Sequence, residues 1–268
     1  MRLRPQLMGI LNVTPDSFSD GGENVALDTA LARAEALVRE GANIIDIGGE
    51  STRPGARPVS LQEEMDRVLP VIEALAGCEA ELSVDTRKPE VARTAVKAGA
   101  HIWNDVTALG YDESSPGLAA ELGCKVVLMH MQGQPETMQD EPEYDDVVGD
   151  IRSYLEGRIE VALKAGVAKH NIIVDPGIGF GKRLKDNLDV LARLDAFHSL
   201  GCPILLGTSR KSFIGRIDGS DVKERLGGSI ASALWGASLG ASIIRVHDVK
   251  QTVQALKVWQ AIRERDNG

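Results

Sequence analysis

The sequence is poor in cysteine, in basic charge and in long apolar runs. Its three cysteines, Cys78, Cys124 and Cys202, are odd in number, widely spaced and without a Cys-x-x-Cys pair. That pattern indicates neither a disulfide framework nor a zinc site and reads as buried thiols. No run approaches the roughly 20 apolar residues of a membrane span, and Met1 to Leu7 has no apolar segment of signal-peptide length. A cytoplasmic protein with no membrane partner is the expectation. With 30 basic against 39 acidic residues the net charge is −9, which argues against a nucleic-acid partner. Linkers and low-complexity stretches are also lacking, so residues 1–268 read as one domain, with 43% apolar and 26% charged residues supporting one substantial core.

What the chain does contain is a repeated pattern. Eight short apolar runs each stop at residues able to bind or react: Leu7 to Val13, Ile44 to Gly48, Leu82 to Asp85, Ile102 to Val106, Val126 to His130, Ile172 to Asp175, Pro203 to Gly207 and Ile243 to Val246. Continuous apolar runs mark parallel strands covered on both faces, where polar groups surface only at strand ends. The intervals hold helical patterns. Ala30, Leu31, Ala34, Leu37 and Val38 form one stripe, Ser60 to Glu63 spells a capping box, Pro89 suits a first turn, and Gly41, Gly99, Gly123, Gly201 and Gly240 sit where helices end. Eight units in 268 residues give about 33 residues each, close to the ~250-residue TIM (β/α)8 barrel. The expectation is therefore an α/β barrel with its site at the C-terminal ends of the strands. An open doubly wound sheet is the alternative.

Several strand ends carry chemistry. Asn12 precedes a polar loop with a glycine pair, where a side-chain carbonyl can ligate a hard cation beside substrate phosphates. Gly48 to Gly55 forms a small-residue loop that can carry Arg53 to an anion. Asp85, Asn104 and Asp175 place two carboxylates and an amide on one rim, a set suited to a ring with adjacent N–H groups such as an aminopyrimidinone. Asp175 to Lys182 has glycines spaced G-x-G-x-G, without Rossmann spacing or the Walker Ser/Thr; it reads as a shaped loop with Phe180 a contact and Lys182 facing solvent. Arg210 and Lys211 after strand seven, with Arg245 and His247 at strand eight, stand where barrels bind phosphate. Arg53, Lys182, Arg210, Lys211, Arg245 and His247 together concentrate positive charge on that face, which points to an anionic substrate.

The segments Asn12 to Gly22, Ser83 to Thr86, Leu128 to Gly133, Asp175 to Lys182, Ser209 to Phe213 and Arg245 to Asp248 occur in the order found in the dihydropteroate synthase family, and over nearly its whole length the chain resembles that pterin-binding family. The resemblance implies a folate-pathway transferase that joins 4-aminobenzoate to a dihydropterin bearing a hydroxymethyl diphosphate, releasing pyrophosphate. It implies that Asp85, Asn104, Asp175, Lys211 and Arg245 hold the pterin, with Asp85, Lys211 and Arg245 closest to catalysis. It further implies that Asn12 ligates Mg2+, that Asn12, Arg53, Arg245 and His247 surround the diphosphate, and that Phe18, Thr52, Pro54, Phe180, Lys211 and Ser212 border the aminobenzoate pocket. A homodimer and ordinary sulfonamide sensitivity follow from the same resemblance. The apolar stretch around Ile230, Leu234 and Trp235 fits barrel packing, its more ordinary use, or a partner face.

Arg87, Trp103, and Arg183 with Asp186 depart from the commonest family spelling. Two rivals share part of the pattern: a methyltetrahydrofolate-type methyltransferase, which needs no diphosphate cluster, and a catalytically silent pterin-binding homologue.

Overall fold

The computed structural model describes residues 4–14, 23–51, 57–133, 138 and 142–266. Eight parallel strands alternate with helices: β1 (Gln6–Asn12), α1 (Glu23–Glu40), β2 (Ile44–Gly48), α2 (Leu61–Leu75), β3 (Glu81–Asp85), α3 (Pro89–Lys97), β4 (Ile102–Asp105), α4 (Ser115–Leu122), β5 (Lys125–Met129), α5 (Val147–Ala165), β6 (Ile172–Asp175), α6 (Leu184–Ala192), β7 (Leu205–Leu206), α7 (Ser212–Asp218), α8 (Leu226–Ser238), β8 (Ile243–Val246) and α9 (Val249–Asp266). Strand order runs β6-β5-β4-β3-β2-β1-β8-β7, and a parallel bridge between Val174 and Ile204 joins the two ends into a barrel. The open-sheet alternative is thereby set aside. β7 pairs over two residues only, shorter than the run Pro203 to Gly207, because its other edge meets β6 through that single bridge.

The five glycines read as helix ends all have positive φ, from 63° at Gly123 to 123° at Gly99, a region costly for other residues. Only half of the expected capping box forms. Ser60 accepts from the Glu63 amide at 3.2 Å, but the Glu63 carboxylate turns to Arg67 instead of back to the cap.

Alternation along each strand builds two layers. Leu7, Leu11, Ile45, Ile47, Leu82, Val84, Val126, Leu128, Val174 and Ile244 join Ala30, Ala34, Leu37, Val68 and Ile72 in the core between strands and helices. The opposite faces supply a separate cluster inside the barrel: Met8, Ile44, Ile102, Val127, Ile173, Leu205 and Ile243, all nearly sealed from solvent. Burial of such side chains contributes about 1.5–3 kcal/mol each. Two residues further along the same faces come Ile10, Asp46, Asn104, Met129, Asp175, Gly207 and Arg245. The barrel floor is thus apolar, and the next inward layer is mostly polar.

Candidate active site at the strand ends

That second layer contributes to a narrow pocket of about 30 Å³, formed by Asp85, Asn104, Val106, Met129, Asp175, Gly177, Ile178, Phe180, Gly207, Lys211 and Arg245. Five of the pterin-site residues expected from sequence therefore meet in one place. Strand register explains the near side: Asn12 lies opposite Gly48, Gly48 opposite Asp85, and Asp85 opposite Asn104. At Gly48 a Cβ would stand 3.5 Å from Cβ of Asp85, so the missing side chain leaves the carboxylate uncovered in the row.

The centre of the site is Asp46, which lies within the run Ile44 to Gly48 and stands outside the residue roles expected from sequence. Asp46 is fully buried and accepts from Ser83 Oγ at 2.6 Å, Asn104 Nδ2 at 3.1 Å and Arg245 Nε at 2.6 Å. A carboxylate can only accept, so Asp46 fixes the Asn104 amide with its nitrogen inward and its carbonyl oxygen offered to the pocket. Arg245 spans two carboxylates, its Nη2 reaching Asp85 Oδ2 at 2.7 Å. Burial opposes charge on the guanidinium, but Asp46 and Asp85 more than offset this and raise its pKa. Burial pushes the Asp85 carboxyl up to about 7; Arg245 draws it down while Asp46 adds to the rise. The signal for Asp46 was in the sequence: an aspartate inside the run Ile-Ile-Asp-Ile must be buried and therefore partnered.

On the far side, Asp175 receives the Gly177 amide at 2.7 Å. Burial raises its pKa, opposed by that amide and by Lys211. Lys211 places its ammonium 4.0 Å from the Phe180 ring centroid. Lys182 does not face solvent, contrary to expectation: it is 1% exposed beneath the β6–α6 loop, because its ammonium is ringed by acceptors from that loop and from the end of β5.

The cationic rim read from sequence is correspondingly smaller. Arg210 forms a two-pronged pair with Asp248 at 3.0 and 2.6 Å, and Arg245 is shared between two aspartates. His247 is held by Ser209, whose Oγ lies 2.9 Å from its Nδ1 and accepts its backbone amide at 3.2 Å. Ser212 is exposed in the first turn of α7, directly after Lys211. Asn12 is exposed at the end of β1. Among the described residues no group of three His, Cys, Asp or Glu could hold a metal. Phe18, Thr52, Arg53 and Pro54 lie outside the described residues.

The residues on either side of 52–56 are firmly held. Glu50 accepts from the Val59 amide at 3.1 Å and from Arg87 at 3.3 Å, and pairs with Lys88 at 2.9 Å; Lys88 also pairs with the fully buried Glu64. The three departures from family spelling acquire structural uses here. Arg87 joins this cluster and lies over Tyr111, Trp103 donates to the Thr86 carbonyl at 2.8 Å, and Arg183 with Asp186 closes the first turn of α6.

A parallel barrel whose strand ends offer an N–H-accepting pocket beside an arginine shared by two carboxylates has the donors and acceptors to hold a flat, amide-edged heterocycle. The family profile described as pterin binding enzyme matches residues 8–247, and the chain belongs to that family. It is 53% identical over 261 residues to the dihydropteroate synthase of Escherichia coli K12, covering 96% of this chain and 91% of that protein. The dihydropteroate synthase of Yersinia pestis, solved as a sulfonamide drug complex, superposes with a TM-score of 0.92 at 51% identity, covering 97% of this chain and 95% of that one. The enzyme of Xanthomonas albilineans in complex with 7,8-dihydropteroate gives 0.88 at 46% identity over 98% and 95% of the two chains.

Proposed function

We propose that the chain condenses 6-hydroxymethyl-7,8-dihydropterin diphosphate with 4-aminobenzoate, giving 7,8-dihydropteroate and pyrophosphate. The observation that carries this reading is Arg245, pinned between Asp46 and Asp85 in a pocket that also holds Asn104, Asp175 and Lys211. In this reading Asp175 accepts from the guanidine-like edge of the pterin, and the Asn104 carbonyl accepts from a second N–H. The bond between the pterin methylene and the diphosphate oxygen breaks. Positive charge develops on the methylene, which the Asp85 carboxylate stabilises, while Arg245 and His247 face the departing diphosphate, a role the family resemblance also assigns to Arg53, outside the described residues. The aromatic amine of 4-aminobenzoate then bonds to the methylene and loses a proton. Phe180 and Lys211 flank the amine, with Ser212 beside them; the family resemblance assigns Phe18, Thr52 and Pro54, which lie outside the described residues, to the same pocket. Asn12 would hold Mg2+ together with diphosphate oxygens; the ion would supply charge neutralisation at the leaving group.

The test is pyrophosphate release from the dihydropterin diphosphate, with and without 4-aminobenzoate and with Mg2+ present or chelated. Release coupled to dihydropteroate formation and abolished by chelation supports the reading. Binding of the pterin without release supports the silent homologue, and methyl transfer to a corrinoid acceptor supports the methyltransferase. Sulfamethoxazole is expected to compete with 4-aminobenzoate; an inhibition constant far above that substrate's KM would count against this pocket.

We further propose a homodimer across the outer face of α8. This helix turns Ala233 and Ala237 inward, as barrel packing requires, but leaves Trp235 51% exposed, with Ile217 at 60% and Val222 at 49% just before it. Light scattering on W235K should report a monomer if that face joins the copies.

A further inference from the structure

Lys182 stands in an unusual setting for a lysine: among the described residues no carboxylate pairs with it. Its ammonium lies 2.9 Å from the Gly177 carbonyl, 3.0 Å from the Phe180 carbonyl and 3.0 Å from Nδ1 of His130, with the His130 carbonyl more distant at 3.4 Å. Three close acceptors match the three N–H donors of an ammonium group. The loop curls around this point through alternate glycines, Gly177, Gly179 and Gly181, at φ of 68°, 82° and 58°. It is also pressed onto the end of β5: a Cβ on Gly177 would fall 2.0 Å from the His130 carbonyl oxygen.

Other polar groups of the loop are tied to α6 and to the approach of α5, where Tyr144 donates to the Gly181 carbonyl. Gly179 donates to Asn187 at 2.6 Å, and Asn187 donates to the Lys182 carbonyl at 3.1 Å. Lys182 joins the crest of the loop, at Phe180, to the residue that follows β5, His130. Both pocket elements on this side depend on that crest: the Phe180 ring sits beneath the Lys211 ammonium, and the Lys211 stem crosses Gly179 so closely that a Cβ there would be 3.1 Å from Lys211 Cδ.

We propose that Lys182 is a positioning residue for the amine-binding half of the site: its buried ammonium holds the β6–α6 loop in the shape that seats Phe180 against Lys211. The inference rests on the functional reading above, in which those two side chains border the 4-aminobenzoate. Lys182 touches no reacting atom, so its removal acts through Phe180.

The experiment is a double-mutant cycle on the full chain, with dihydropteroate formation measured against 4-aminobenzoate for wild type, K182M, F180A and K182M/F180A. K182M keeps the apolar stem and deletes all three donors. It is expected to raise the KM for 4-aminobenzoate about tenfold, with kcat falling by less than KM rises, the sign of lost uniform binding. In the F180A background the same deletion is expected to change that KM less than about twofold, because coupled residues do not add. A folded K182M with wild-type KM, or effects that multiply, overturns the proposal. If K182M fails to fold, K182Q, which retains two donors, is expected to give an intermediate KM, and a wild-type value there overturns it equally. Wild-type protein that forms no dihydropteroate overturns the functional reading and this inference together, whereas wild-type turnover with an unaffected lysine variant overturns the inference alone.

Discussion

Arg245 and Lys182, on opposite sides of the site, are neutralised in opposite ways. Arg245 is held by the full charges of Asp46 and Asp85; Lys182 is held by two carbonyl dipoles and an imidazole nitrogen. An ion pair can be reshuffled when a charged ligand arrives, since each partner can exchange one charge for another. A cage of backbone dipoles has no such alternative and keeps one shape. The difference separates the part of the site that meets changing charge from the part that supplies a fixed wall. Burial pulls the Lys182 ammonium down to about 7, which is the cost of holding it by dipoles.

The sharpest way to break the contrast is R245M. It strands two buried carboxylates, so a loss of about 3–5 kcal/mol in denaturant unfolding is expected, together with loss of turnover. D85N comes next. It keeps the shape but removes the charge facing the methylene, and kcat should fall about 10²- to 10³-fold; wild-type kcat would sink that role. D46N touches no ligand in this reading, yet it loosens both Asn104 and Arg245. Pterin affinity should weaken and stability fall by about 1–3 kcal/mol, read by calorimetry on the binary complex and the free protein.

The smallest effect is set by pH. Burial, with Lys182 adding to it, lowers the His130 pKa to about 3, below the ordinary value of 6.5. The unfolded chain therefore takes up a proton that the folded one refuses, and stability is lost as pH falls below about 6.5. Between pH 7 and 5 the loss from this group is about 2 kcal/mol, and in H130L that part of the slope should vanish.

The barrel was legible because buried strands and helix-ending glycines leave periodic marks, and the strand-end residues Asp85, Asn104, Asp175 and Arg245 were legible because polar side chains there have few other uses. Partnership was not. Nothing local distinguishes Arg245, shared by two aspartates, from Arg210, tied to Asp248, since Asp46 stands 199 positions from Arg245 in the chain. Lys182 misled for a related reason: a lysine after Gly-Phe-Gly looks exposed until the turn of three positive-φ glycines folds it under its own loop. Asp105, which also ends a strand, accepts from the Thr107 and Leu109 amides of its own turn, the ordinary fate that any one of these aspartates could have had.

The two inward layers of the barrel also divide labour for any future change of chemistry. Floor positions such as Ile44, Ile102, Ile173 and Ile243 are separated by a single pleat from Asp46, Asn104, Asp175 and Arg245. Selection for a new heterocycle can therefore rewrite alternate letters of each strand while the letters between them go on holding the barrel shut, which makes this rim a natural place to build altered specificity into an otherwise untouched scaffold.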